Sequence, residues 1–384
     1  MRFLRSSKTK RSSKPQNNAT TLESLEDRAL LSATLNDTTL LVNGSDSADT
    51  IVITQDAGRI TVVENDRDPV SFPLGDVARV RVLGNGGADD INTRDLGIQS
   101  QILGGEGNDM IIAGSGPNVL RGEAGSDTII GFNGNDTIAG GGGNDLLRGQ
   151  RGNDEVRGDN GFDTIFGGAG FDLLRGGNND DYMRGSQDND SMFGDNGEDT
   201  VLADDGDDTI FGGRNRDTLG GGSGNDVLSG NGAGDLISGG SGLDLLVGGD
   251  GPDELRGGDG RDIMIGGADR DDLFGGNADD LLIAGTTNQS LADLSFIVDE
   301  WGSNNDYDQR VANIRRGSGR NNDRLNDENY FIGRNRNDFA TVFNDFGFID
   351  NMDGERGTDW FFAARGFGDD DFVDRSGDER LDQI

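Results

Sequence analysis

The sequence predicts an all-β fold: a parallel β-solenoid rolled into two facing sheets, with an atypical β cap before it and a small mixed cap after it. Three observations carry this. Residues 104–283 divide, without insertion or deletion, into 20 consecutive nine-residue units of the form G-G-x-G-x-D-x-U-x, with U aliphatic. Position 8 is Leu, Ile, Val or Met in every unit, from Ile111 to Leu282, and position 1 is Gly in 18. Only 32% of residues are hydrophobic and 66 are Gly. That is too little apolar material for one large globular core, but enough for a solenoid in which each repeat packs only on its neighbours.

Within a unit, positions 1 to 6 have the Gly-rich, small polar composition of a turn that needs positive φ. Positions 7 to 9 read as a three-residue strand whose middle side chain points one way and whose neighbours point the other. Arg121, Arg148, Arg157, Arg175, Arg184 and Arg256 all fall at position 9, which fits an outward direction. Two units then make one coil, and stacked coils bring the position-8 residues of both sheets into one thin core. Ten coils at a strand spacing of ~4.8 Å give a rod roughly 48 Å long. A helix is excluded, because Gly at every ninth position would cost it about 1 kcal/mol each time.

Position 6 carries the chemistry. It is Asp in 19 of 20 units: Asp109, Asp127, Asp136, Asp145, Asp154, Asp163, Asp172, Asp181, Asp190, Asp199, Asp208, Asp217, Asp226, Asp235, Asp244, Asp253, Asp262, Asp271 and Asp280, the exception being Asn118. The array holds 36 acidic residues against 11 Arg, a formal charge of −25. Carboxylates stacked at strand spacing repel strongly without a counter-ion. Carboxylate and turn-carbonyl oxygens in flexible six- to eight-fold coordination suit Ca²⁺. Mg²⁺ prefers a tighter octahedron, and a soft metal would want Cys or His, of which there are none.

The nonamer closely resembles the RTX (hemolysin-type) calcium-binding repeat. That resemblance implies a β-roll with each ion between two turns on the same edge, one coil apart. Turns starting at 104, 122, 140 and onward then share one edge, and those at 113, 131, 149 and onward the other. Position 4, where a side chain would crowd the metal loop, departs from Gly at Asn179, Asp188, Asn215, Ala233, Asp269 and Ala278. Requiring two sound turns per ion gives eight expected sites, or nine if Asn118 serves beside Asp136.

Residues 1–33 differ in kind and read as a basic, disordered segment. They hold all three Lys of the protein, Lys8, Lys10 and Lys14, with Arg2, Arg5, Arg11 and Arg28. A secretory signal would follow its basic region with an apolar stretch, and Ala29-Leu30-Leu31-Ser32-Ala33 is too brief for a conventional one. The stretch from Leu22 to Ala33 resembles the L-E-x-R-x-L-L-S-A signature of planctomycete surface proteins, which implies export.

Residues 34–103 read as short strands around Leu40–Val42, Ile51–Ile53, Ile60–Val63 and Val80–Val82, divided by Gly- and Asn-rich turns. Two degenerate nonamers, 44–52 and 84–92, place Asp49 and Asp89 at position 6 with Ile51 and Ile91 at position 8. This segment is expected to cover the open end of the stack, since an exposed strand edge invites aggregation.

Residues 284–384 hold both Trp (Trp301, Trp360) and 10 of the 19 Phe. Leu291, Leu294, Ile297 and Val298 recur at helical spacing behind a Ser290/Asp293 capping box. A second short helix is expected around Val311 and Ile314, and two nonamers return, the second at 354–362 with Gly357, Asp359 and Phe361 in place. Glu300-Trp301, Arg310-Val311-Ala312-Asn313 and Asp359-Trp360-Phe361-Phe362-Ala363 resemble the C-terminal segment of planctomycete RTX-type proteins. The segment is expected to close the roll; in other RTX proteins the C-terminus carries a secretion signal instead.

The net charge of −37 argues against nucleic acid or acidic lipid as a partner. No apolar run approaches the ~18 residues needed to cross a bilayer. With no His, Ser-His triads and zinc protease sites are excluded, and residues 34–103 are too short for a catalytic domain. The expectation is a calcium-binding, non-enzymatic protein, extracellular or at the cell surface, with cell-surface polysaccharide or other surface proteins as possible partners. The alternative is a non-catalytic accessory module of a secreted enzyme or toxin.

Overall fold

The computed structural model describes residues 32–65, 67–283, 285–287, 302–303, 342–343, 351–353, 360–363, 372–374 and 380–383. Residues 1–31 and the two expected helices of the C-terminal segment lie outside the described residues, as does Trp301.

Two long sheets face each other, and the chain alternates between them. One runs through Asn118–Ala124, Thr137–Gly142, Glu155–Asn160 and so on to Leu281–Ile283, the other through Thr128–Asn133, Leu146–Arg151, Thr164–Ala169 and so on to Asp272–Asn277. Every pairing within the array is parallel with an 18-residue offset, such as Ile129 to Leu147 to Ile165. The strands are longer than the expected three residues. Positions 1 to 3 of the next unit pair too, so most strands span six residues, from position 7 to position 3.

Position 8 forms the core as the pattern requires. From Ile111 to Leu282 these side chains are 0–1% exposed. Most position-9 side chains face outward, where Arg148 sits 4.9 Å over the Phe166 ring, Arg175 4.2 Å over Phe193, and Arg256 5.0 Å over Phe274, while Ala139, Ser229, Ile265 and Ile283 are buried. Tyr182, at position 7, is likewise a surface residue.

The N-terminal segment closes both sheets by changing strand direction. Ser32–Asn36 pairs antiparallel with Thr39–Asn43, which pairs parallel with Arg79–Gly86 and so starts one sheet. Thr50–Asp56, Arg59–Glu64 and Val70–Pro73 form an antiparallel meander that ends the other, joined to the array through Asp90–Asn92. Ile51, Ile53, Ile60 and Val62 extend the core.

At the other end the roll does not stop at Ile283. Asn351–Asp353 pairs with Asp272–Phe274, and Trp360–Ala363 with Leu281–Ile283, both parallel. Phe372–Asp374 and Arg380–Gln383 then add one strand to each sheet. Phe361 pairs in register with Leu282, position 8 with position 8. These four strands continue the roll, while Thr286–Thr287 pairs antiparallel with Val342–Phe343 in a small separate sheet.

Candidate metal centre

Each edge of the roll is a column of turns, and the position-6 side chains form a ladder down each column. The backbone N–H of Asp109 donates to Asp127 Oδ1 at 2.7 Å, that of Asp127 to Asp145 Oδ1 at 2.7 Å, and that of Asp145 to Asp163 Oδ1 at 2.8 Å. The second edge repeats this from Asn118 through Asp136, Asp154 and Asp172. One carboxylate oxygen per Asp is thus fixed by the preceding coil, which is why a period of two nonamers places every aspartate over another.

The second oxygen is different. In Asp109 and in every position-6 Asp from Asp127 to Asp262, Oδ2 is buried and meets no hydrogen-bond donor. It lies where a Cβ of the position-1 residue would stand: a Cβ on Gly140 would collide with Asp145 Oδ2, and one on Gly158 with Asp163 Oδ2. Gly at position 1, present in 18 of the 20 units, leaves room for the carboxylate; before Asp208 the place is taken by Ala203. These side chains are 0–3% exposed, and burial is the largest cause raising their pKa, followed at most positions by neighbouring carboxylates. Asp145 is pushed up to about 7, and Asp181, Asp190 and Asp217 to about 8. A buried anionic oxygen with no donor is costly.

Asn118 shows the same place filled by the protein. Its amide nitrogen donates to the carbonyls of Gly114 at 3.2 Å and Gly116 at 2.6 Å and to Asp136 Oδ1 at 3.0 Å, while its Oδ1 accepts from Ser100 Oγ at 2.7 Å. Turn carbonyls and the next coil's carboxylate thus come within reach of a position-6 side chain. The first-edge ladder is closed in a similar way at Asp49. Its Oδ2 accepts from Ser45 N–H at 2.6 Å and Ser45 Oγ at 2.9 Å, and its Oδ1 from Asn65 Nδ2 at 2.5 Å.

Asp89 joins the first-edge ladder between Asp49 and Asp109. Its Oδ2 is also buried and without a donor, and burial pushes its pKa up to about 7. The degenerate nonamer at 84–92 carries the signal for it, 20 rather than 18 residues ahead of the unit at 104.

Among the described residues no three acidic side chains converge on one point, so a cation here must draw on main-chain carbonyls as well. Carboxylate pairs with carbonyl oxygens and no nitrogen or sulfur are a hard-ion donor set, and the donorless Oδ2 atoms fit Ca²⁺. The position-6 carboxylates and neighbouring turn carbonyls would hold such an ion, which would offset the charge of the stacked carboxylates.

The family described as RTX calcium-binding nonapeptide repeat matches in seven overlapping stretches: 103–131, 130–165, 157–192, 184–219, 193–228, 220–255 and 247–282. No curated protein matches the chain. The two-edged roll and its ladder of buried aspartates across residues 103–282 are an array of RTX calcium-binding nonapeptide repeats.

Proposed function

We propose that this chain is a secreted or cell-surface protein whose roll folds on binding calcium outside the cell, where it serves as a structural or adhesive element rather than a catalyst. The ions are held by aspartates drawn from the position-6 set, Asp109 to Asp280. The observation that carries this reading is the run of buried Oδ2 atoms without donors, an arrangement that is unfavourable until a cation enters. Metal sites assembled only in the folded state contribute their binding free energy to folding. Extracellular calcium modules bind at roughly 10⁻⁴–10⁻³ M, so the chain stays loose inside a cell and folds after export. No helix among the described residues is long and apolar enough to cross a membrane, which agrees with a surface or external role. Outward Arg and Phe ladders on flat sheet faces supply contact area for surface polysaccharide or neighbouring proteins.

Far-UV circular dichroism in EDTA and then in millimolar Ca²⁺ tests the coupling. The β signal is expected to appear with calcium; full β signal in EDTA sinks the reading. Fractionation of the native host, with the protein found outside the cell, tests its location.

A further inference from the structure

We infer that the turns are not equal calcium seats: eight turn pairs are built for an ion, and the coil from 176 to 193 is flanked by none. This rests on the calcium reading above and concerns how the ions are distributed.

The observation is a hydrogen bond separate from the aspartate ladder. The position-4 N–H of a turn donates to the position-3 carbonyl of the next turn on the same edge and ties the two turns directly. Where the next turn also has Gly at position 4, this bond is tight at seven places: Gly107 to Ala124 at 2.7 Å, Gly125 to Gly142 at 2.8 Å, Gly143 to Asn160, Gly134 to Arg151 and Gly152 to Ala169 at 2.9 Å, Gly206 to Ser223 at 2.8 Å, Gly224 to Ser241 at 2.9 Å; Gly116, in the turn that carries Asn118, makes none to Asn133. Where the next turn has another residue there, it stretches: 3.1 Å before Asn179 and Asp269, 3.4 Å before Asp188, 3.5 Å before Asn215. Asn179, Asp188, Asn215 and Ala233 donate no such bond themselves.

The cause is backbone conformation. Gly107, Gly125, Gly134, Gly143, Gly197 and Gly206 hold φ between +121° and +152° at position 4, a range closed to residues with a Cβ. Asn179, Asp188, Asn215, Ala233, Asp269 and Ala278 are confined to +69° to +87°, the narrow left-handed well. A rotation of this size swings the N–H away from the next coil. An ion between two tied turns meets a preset spacing, whereas an ion between untied turns must also order them, which weakens binding.

Seven pairs are tied by the tight bonds above, and the pair 239/257 by strand pairing that runs through to Gly242 and Gly260. They fall in three runs: 104 to 158 on the first edge, 131 to 167 and 203 to 257 on the second. Gly87 makes no such bond to Glu106, so Asp89 adds no seat.

Native mass spectrometry of the full chain at limiting calcium tests this. Ten turns on each edge give nine adjacent pairs each, so equal seats predict about 18 ions and unequal ones eight tightly held. No bound calcium removes the function proposed above and this inference with it; a count near 18 overturns this inference alone. Asp145→Ala should cost two ions and Asp217→Ala none. Asn179→Gly should create two seats, 158/176 and 176/194, raising the count to ten without risk to the fold. An unchanged count in that variant overturns the inference whatever the alanine variants do.

Discussion

At the scale of single residues the roll is a compromise between a carboxylate and the room it needs. Gly140 illustrates it: a Cβ there collides with Asp145 Oδ2. Gly140→Ala should push that side chain off its seat and raise the calcium concentration at the folding midpoint at least twofold. An unchanged midpoint in a calcium titration would count against the crowding argument. The same carboxylates give a pH dependence whose sign is opposite to the usual acidic case. Burial raises Asp136, Asp145 and Asp226 to about 7 and Asp127 and Asp154 to about 6, against an ordinary value of 3.8. A folded-state pKa above the unfolded one gives stability that is present below about pH 4 and lost as pH rises through about 6 to 8. In EDTA the β signal should therefore grow as pH falls from 8 to 5. With calcium the order reverses, since protons compete for Oδ2 and the calcium midpoint should move upward between pH 8 and pH 6. A midpoint independent of pH would mean that these oxygens are not the ligands.

At the scale of elements, the two ends of the roll are built differently from its middle. At the N-terminal ends of the two ladders protein partners take the place of a cation: Asp49 accepts from Ser45 and Asn65, and Asn118 donates to the carbonyls of Gly114 and Gly116. The antiparallel meander from Thr50 to Pro73 packs Ile51, Ile53, Ile60 and Val62 beneath them. Residues 39–121 should keep part of their amide protection in EDTA, while 128–283 exchange freely until calcium is added. Hydrogen exchange by mass spectrometry decides this, and uniform exchange of both regions in EDTA would show that the N-terminal end is not an independent nucleus. The array's strands, their core side and the stacking of Asp over Asp were legible in the sequence because the nine-residue period never slips. The C-terminal strands were only partly so. Gly354 to Phe362 was visible as a nonamer. The strand Phe372–Asp374 is positions 7 to 9 of a further unit, Gly366 to Asp374, displaced by three residues, and Arg380–Gln383 has Glu379 where Asp is expected. Once register and residue type both change, periodicity carries no signal and only pairing reveals the strand. The six departures from Gly at position 4 were legible as letters, but the lengthened bonds between turns that accompany them were not.

At the scale of the whole molecule, charge governs whether the roll forms. The chain carries −37, of which −25 lies in the array; eight calcium ions bring +16 to the array and leave it acidic. Simple screening does not substitute for them. At physiological ionic strength the Debye length is about 8 Å, longer than the ~4.8 Å between stacked coils, so neighbouring carboxylates still repel. Mg²⁺ has the charge but demands a compact octahedron and keeps its waters, which a seat of buried carboxylates and turn carbonyls does not offer. Small-angle X-ray scattering should therefore find the calcium-free chain expanded, toward the roughly 70 Å radius of gyration of a 384-residue unfolded chain. Addition of 0.15 M NaCl or millimolar Mg²⁺ should shrink it only slightly, whereas millimolar Ca²⁺ should collapse it in one transition. Full compaction by Mg²⁺ or by salt alone would show that neutralising the charge is sufficient, and that the buried oxygens do not select the ion.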